Sequence, residues 1–544
     1  MAGERGPANG AWRTALRDLA LCLSWANLCY LRIWSELLTY TEADLFTMAS
    51  EPGRSHYLAA LAGMTALGMA AWIVVTLARR APGSWAWTAL RWAAVVAMVI
   101  PLNALRIVVS DQFPWLYAYL RQPLVGQVGV SGVVAVAAIL SAGALAAAWR
   151  FRRRVVRLPS AAVLVMFPLL PVTVGHALWR AFQSAAPAEP RAPEEGFVVP
   201  SGGMRHRPGP RVVWVLFDEW DYRLTFEARP SGLELPELDH WRRTSLFATE
   251  AFPPADRTIE SVSALLTGMA VARVTPLSRS QALLFPAGGG PQVAWSEAPN
   301  VFRDALEMDA PAAVVGWALP YCRIYGRDLA ACAWWETSIR RISRGKTVGT
   351  IAVAQLRSMV ETAVLSPFGQ SAVAQHHYRT WRAMMDRAVR AAADPSLRLV
   401  FIHLPVPHAP YFYDRATGRF DRGNTLARGY LDHLVLVDRS VRQLRRALEE
   451  AGLLQTTAIL LSSDHGFRSA RGLAAEPDRR VPYLLRLGEA AVEYTRPFNT
   501  VLTRELVGAI LRGEVADLEQ AALWLDRRGG NEEQTSRQIS RRIP

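Results

Sequence analysis

The sequence predicts an α-helical membrane domain of five spans, followed by an α/β domain with a mainly parallel central sheet. Three observations carry that expectation. The chain has 544 residues, 51% hydrophobic and only 20% charged, with a mean hydropathy of +0.10. This is too apolar for a wholly soluble protein, and the surplus lies in long runs before about residue 185. Roughly 360 residues follow, enough for one large domain with its own buried core. In that remainder, short apolar runs that end in polar residues alternate with amphipathic helical segments. The same arithmetic excludes disorder, collagen and a small disulfide scaffold.

Charge narrows the function classes. Lys+Arg 61 against Asp+Glu 47 gives a formal net charge of +14, and Lys346 is the one lysine. No phosphate loop of the Walker type is present, which excludes nucleoside triphosphate chemistry of that kind. The densest basic run, RFRRRVVR (Arg150–Arg157), lies between two apolar segments. It reads as an orientation signal and not as a nucleic-acid patch, so no nucleic-acid partner is expected.

Five apolar stretches are long enough to span a bilayer: Leu16–Leu38, Tyr57–Leu77, Trp85–Val109, Val125–Trp149 and Leu158–Phe182. The first lacks a convincing cleavage site and is read as a retained helix. Arg5, Arg13 and Arg17, then Arg79 and Arg80, then the Arg150–Arg157 run alternate with connections that carry Glu42, Asp44, Glu51 and Asp111. The arginine-rich side is cytoplasmic, and an odd number of spans puts everything after Phe182 outside. The expected organisation is a transmembrane domain over 1–182, a Pro/Gly-rich linker over 183–210 and an extracytoplasmic domain over 211–544. The chain is expected to be a multi-pass protein of a bacterial-type inner membrane. Arg32 and Glu36 are expected to pair at i,i+4 near the outer face, with a lipid-headgroup role as the alternative. Asp111–Pro123 is rich in Trp and Tyr and is expected to rest in the outer interface. Cys322 and Cys332, ten residues apart on the outer side, are expected to form a disulfide; two buried free thiols are the alternative.

The outer domain opens with RVVWVLFDEWDY, a buried strand that ends in Asp218-Glu219. LRLVFIHLPVPHAPY repeats the pattern, with a strand over Leu397–Leu404 and His403 and His408 toward its end. TTAILLSSDHG is a third strand, ending in Asp464-His465. Between the last two, Thr425–Gly452 carries Leu426, Tyr430, Leu434, Val437, Val441 and Leu444 on one helical stripe, with Gly452 at its end. This alternation gives the parallel sheet, in which ligands bind beyond the strands' carboxyl ends. Asp218, Glu219, Asp464 and His465 are metal-ligand types brought together by two such ends. In FPPADRTIESVSALLTGM (Phe252–Met269) a Pro-rich turn leads to a helix stopped at Gly268, with Thr258 at its start. There the backbone N–H groups favour a deprotonated oxygen or a bound anion, while a plain N-cap is the structural alternative. Arg468, Arg471, Arg479 and Arg480 offer guanidinium forks for a phosphate or sulfate, or are surface charges. His376, His377 and His433 are read as surface or helix-face residues.

Thr258, seven residues before Leu265-Leu266-Thr267-Gly268, resembles the sulfatase signature, in which Cys or Ser holds the nucleophile position. YLDHLVLVDRSV followed by AILLSSDHG is similar to the same superfamily, that of alkaline phosphatase. Threonine in the nucleophile slot, behind five spans, resembles the branch of lipid A phosphoethanolamine transferases and lipoteichoic acid synthases. The resemblance covers nearly the whole chain. It implies a sulfatase-like α/β domain with metal ligands Asp218, Thr258, Asp464 and His465, and Glu219 as a less direct one. It implies that His403 and His408 contact the substrate phosphate or protonate the leaving oxygen. One divalent metal is implied; mixed Asp/His/Thr ligation suits zinc, with manganese, magnesium or calcium as alternatives. The sequence departs from the family after Gly466, where Phe467-Arg468-Ser469 stands in place of Glu and a further histidine.

The resulting expectation is a phosphotransferase with Thr258 as nucleophile. It would move a phosphoethanolamine- or phosphoglycerol-type group from a membrane phospholipid to an envelope glycan or lipid. A hydrolase of sulfate or phosphate esters and a non-catalytic envelope protein of the same fold are the alternatives.

Overall fold

The computed structural model describes residues 8–48, 51–80, 85–112, 161–184, 208–337, 347–360, 371–420, 426–467 and 478–540. The expected span Val125–Trp149, the Arg150–Arg157 run, the interfacial segment beyond Gln112, most of the linker, Arg468 and Arg471 lie outside the described residues. The chain divides into two compact units, one of Met1–Tyr40, Ser50–Pro190 and Arg340–Gly369, the other of Thr41–Ala49, Arg191–Ile339 and Gln370–Pro544. Two short segments therefore group differently from the boundary at residue 183 that the sequence suggests.

Among the described residues of the helical unit, two helices are long and apolar enough to cross a membrane, Arg54–Arg79 and Trp87–Val109. The first expected span divides at Tyr30 into Ala8–Cys29 and Leu31–Leu38. The last is interrupted by a turn before Pro168, which has no N–H to continue a helix, and resumes as Leu169–Gln183. Arg32 Nε and Glu36 Oε1 are 3.0 Å apart, the expected i,i+4 pair.

In the α/β unit the strands, in chain order, are β1 (Arg211–Asp218), β2 (Leu246–Ala248), β3 (Ala251–Phe252), β4 (Val271–Pro276), β5 (Ala282–Pro286), β6 (Val293–Ala294) and β7 (Ala312–Trp317). They continue as β8 (Ala331–Trp335), β9 (Leu399–Pro407), β10 (Thr457–Ser463), β11 (Tyr483–Arg486), β12 (Val492–Tyr494) and β13 (Phe498–Asn499). Eight form the main sheet in the order β12-β2-β11-β10-β1-β9-β7-β8. The run β10-β1-β9-β7-β8 is parallel, and β11 turns antiparallel at one side. All eight residues of β1 are buried, as a continuous apolar run covered on both faces requires. Its alternation divides the core in two. Val212, Trp214 and Leu216 pack with the helix Thr258–Thr267 and the helix Thr503–Arg512. Val213, Val215 and Phe217 pack with the helices Ser371–Ala392 and Leu426–Glu450.

β1 is the middle of three adjacent parallel strands, so the carboxyl ends of β9, β1 and β10 lie side by side. That placement decides where a site forms.

Candidate active site

Asp218 is the last residue of β1, and Asp464 follows the last residue of β10. β9 runs parallel on the other side of β1, pairing His403 with Leu216. Asp218, His403 and Asp464 are buried and each presents a ligand atom, all within 4.8 Å of one another. His403 Nε2 lies 3.8 Å from Asp218 Oδ2. The resemblance implied a substrate contact for His403; the structure instead groups it with the two carboxylates. Glu219 is not in this group.

The turn that aims Asp218 is held in an uncommon backbone state. Glu219 has φ +63, left-handed for a non-glycine residue, at a cost of about 1–3 kcal/mol. Three hydrogen bonds over-determine it. Glu219 N–H donates to Asp464 Oδ1 at 3.1 Å, Tyr430 O–H donates to the Glu219 carbonyl at 2.8 Å, and Trp220 N–H donates to Ser463 Oγ at 2.9 Å. Asp464 Oδ1 also accepts from His465 N–H at 2.8 Å. One carboxylate oxygen of Asp464 is thus anchored by two amides. The other, Oδ2, is buried without a hydrogen-bond partner and sits 3.3 Å from His465 Nε2.

His465 Nδ1 is 2.9 Å from the Gly466 carbonyl. A carbonyl only accepts, so Nδ1 carries a proton there. His465 Nε2 is 3.2 Å from Thr258 Oγ1. Thr258 is not the N-cap of its helix. Arg257 holds the cap position and Thr258 is the first helical residue, with its hydroxyl directed at His465. The helix is fixed to the end of β10 by Ser261 Oγ, which donates to the Asp464 carbonyl, and it stops at Gly268 in the left-handed conformation.

His403 is fully buried, and burial lowers its pKa to about 4, so the ring is neutral at physiological pH. Its Nε2 has no hydrogen-bond partner, while Nδ1 is 2.7 Å from the hydroxyl of Tyr321. Tyr321 lies flat on β7, where a Cβ at Gly316 would come within 2.1 Å of its ring. Only glycine admits that approach. The next residue, Cys322, is bonded to Cys332 of β8 with the Cα atoms 5.6 Å apart. No sequence signal marked Tyr321 or Gly316; their roles depend on the packing of β7 against β9.

Two carboxylates and a neutral imidazole converge in a buried space. Like charges so placed repel strongly at low dielectric, and Asp464 Oδ2 and His403 Nε2 have no hydrogen-bond partner. A divalent cation satisfies both demands, so the residues fit a metal. His465 Nε2 and Thr258 Oγ1 extend the same donor set.

The other candidates separate. His408 is partly buried and packs its ring 5.2 Å from Trp317, which also meets His403 at 6.2 Å. Arg479 pairs with Asp256 at 3.3 Å, both exposed, two residues before Thr258. Arg480, expected as an anion binder, is already occupied: it contacts Glu227, Glu250 and Asp478 at 2.6, 3.3 and 2.8 Å and lies over the Tyr222 ring. Three carboxylates outweigh its single positive charge and leave none for a substrate anion. His377 and His433, read as surface or helix-face residues, are fully buried. His377 stacks on Trp317, and His433 Nε2 accepts from Phe412 N–H at 2.9 Å.

Residues 355–501 match the family model described as Sulfatase. No curated protein matches the chain. Solved structures similar to it include a sulfatase from Pseudoalteromonas sp., with 13% identity, a TM-score of 0.38, and coverage of 57% of this chain and 69% of that one. The phosphonate monoester hydrolase of Agrobacterium radiobacter gives 11%, 0.37, 56% and 74%. The lipoteichoic acid synthase LtaP from Listeria monocytogenes gives 11%, 0.35, 59% and 76%. The matched segment holds His403, His408, Asp464 and His465, and that segment is sulfatase-like.

Proposed function

We propose that the chain is a membrane-anchored, metal-dependent phosphotransferase. It moves a phosphoethanolamine- or phosphoglycerol-type group from a lipid donor to a glycan or lipid of the cell envelope, through a phospho-threonine at Thr258. The observation that carries this reading is the position of Thr258 Oγ1, 3.2 Å from His465 Nε2 and next to the buried carboxylates.

A divalent cation held by Asp218, His403 and Asp464, with His465 and Thr258 at its edge, supplies charge neutralisation and makes the Thr258 hydroxyl more acidic when bound. Zinc suits these oxygen and nitrogen donors, with manganese, magnesium or calcium as alternatives. The Thr258 proton passes to solvent, and the freed oxygen attacks phosphorus. The bond from phosphorus to the diacylglycerol oxygen breaks as the Thr258 Oγ1–P bond forms, and His408 delivers a proton to the leaving oxygen. The N-terminal amides of the Thr258 helix face the transferred anion. An acceptor hydroxyl then repeats the displacement and regenerates Thr258. Threonine cannot be oxidised to formylglycine, which argues against a sulfatase mechanism.

Topology supports the outer location. Thr41–Ala49, in the arginine-poor connection between the first two apolar stretches, belongs to the α/β unit, and Phe46 is fully buried in its core. That connection and the α/β domain therefore share one side of the membrane.

The test uses the full chain in vesicles of phosphatidylethanolamine and phosphatidylglycerol, with diacylglycerol release as readout and an aryl sulfate assayed in parallel. Release should be abolished by chelation and in Thr258→Ala, with negligible sulfate cleavage. Rapid aryl sulfate turnover without diacylglycerol release would contradict the reading.

A further inference from the structure

The chain between β8 and β9 does not group with the sheet. Arg340–Gly369 belongs to the N-terminal helical unit, and its described part contains the helix Val348–Val360. Ile351, Gln355 and Met359, spaced four apart, are its buried face. Gln355 Nε2 donates to the His56 carbonyl at 3.2 Å, and Met359 packs into the cluster of Tyr30, Trp34 and Tyr57. A second stripe at i, i+3 and i+7, formed by Val353, Leu356 and Val360, is 67%, 40% and 46% exposed. The apolar arc of this helix is wider than its protein partner covers. At 13 residues it is roughly 20 Å long, too short to cross a bilayer, which takes about 20 residues.

Its level is marked by its neighbours. His56 is in the first turn of the Arg54–Arg79 helix, a few residues after the connection whose Phe46 enters the α/β core. Arg54 Nε donates to the Ala181 carbonyl at 3.1 Å, and beside Ala181 the side chains of Trp179 and Phe182 are exposed. Aromatic side chains at the end of a span collect at the membrane–water boundary.

We propose that Val348–Val360 is an interfacial membrane helix, with Val353, Leu356 and Val360 seated among the acyl chains of the leaflet at the Arg54 end of the Arg54–Arg79 helix. Its polar face, with Thr350 and Arg357, is turned to the headgroups and water. The occupant of the exposed stripe is phospholipid. The insert ties the middle of the sulfatase-like sequence to the bilayer, an attachment separate from the linker before β1. This rests on the reading of Arg54–Arg79 as a span.

The test places a photoreactive benzophenone side chain singly at positions 353, 356 and 360 of the full chain, in vesicles of phosphatidylethanolamine and phosphatidylglycerol. Controls stand at Ile73, exposed on the Arg54–Arg79 helix, and at Thr350 and Leu277, exposed elsewhere. After illumination, mass spectrometry should find phospholipid adducts at 353, 356 and 360 in yields comparable with Ile73, and none at Thr350 or Leu277. Adducts at Ile73 but not at the three helix positions would overturn the inference and leave the span intact. No adduct at Ile73 would remove the span, and the inference with it.

Discussion

Thr258 and His403 each meet one neighbouring side chain within hydrogen-bond distance, His465 in the case of Thr258. For His403 that residue is Tyr321, whose hydroxyl meets Nδ1 at 2.7 Å and leaves Nε2 free to face Asp218 and Asp464. Groups that orient a ligating imidazole typically govern about 10–100-fold in metal affinity. Tyr321→Phe keeps the ring on Gly316 and removes only the hydroxyl. It should weaken metal binding by that order in a calorimetric titration while the unfolding midpoint of the metal-free protein stays nearly constant; equal affinity would show that the hydroxyl does not orient the site. Asp218, Asp464, His465 and Thr258 were legible in the sequence because each stands at the end of a strand or the start of a helix. His403 was legible as a site residue but not as a neighbour of the carboxylates, which depends on the register of β9 against β1. Arg480 misled for a related reason: its three acidic partners come from distant turns and from Asp478 beside it.

Elements read well where periodicity was strong. The Leu426–Glu450 helix follows its apolar stripe, and β1 and β10 coincide with their apolar runs. What periodicity could not show is what covers the rest of a helix. His433 lies on that helix and His377 on Ser371–Ala392, and both are sealed beneath the aromatic layer of Trp317 and Phe412. Burial lowers the pKa of His433 to about 3 and that of His377 well below its ordinary value. Folding therefore favours the neutral rings. That stability is complete above the unfolded value near 6.5 and is lost as pH falls toward about 3. The unfolding midpoint of the full chain should drop between pH 7 and pH 4. His377→Phe preserves the stack on Trp317 and should drop less over the same interval. An equal drop in both proteins would place the acid sensitivity elsewhere.

At the scale of the whole molecule the two units exchange segments in sequence, Thr41–Ala49 joining the sheet domain and Arg340–Gly369 the helical one. Apolar composition alone could not reveal this, because Phe46 and Met359 are buried in either case. The sheet domain also carries an electrostatic debt at its centre, since Asp218 and Asp464 are both buried beside a neutral histidine. A bound cation stabilises the folded state by mass action, about 2.7 kcal/mol at a hundredfold excess over Kd. Chelation should lower the unfolding midpoint of the wild type but not that of Asp464→Asn, which loses a ligand and the repulsion between the two carboxylates. A midpoint insensitive to chelator in the wild type would show that no bound cation stabilises the two carboxylates.

In the proposed reaction Thr258 carries the transferred group. The most direct measurement is the mass of the Thr258 peptide after the full chain is mixed with phosphatidylethanolamine and phosphatidylglycerol vesicles and quenched in acid. A phosphorus-containing increase on Thr258, absent from Thr258→Ala and identifying the donor headgroup by its mass, is the predicted result. Diacylglycerol release at full rate with Thr258 unmodified, or unchanged in Thr258→Ala, would contradict it.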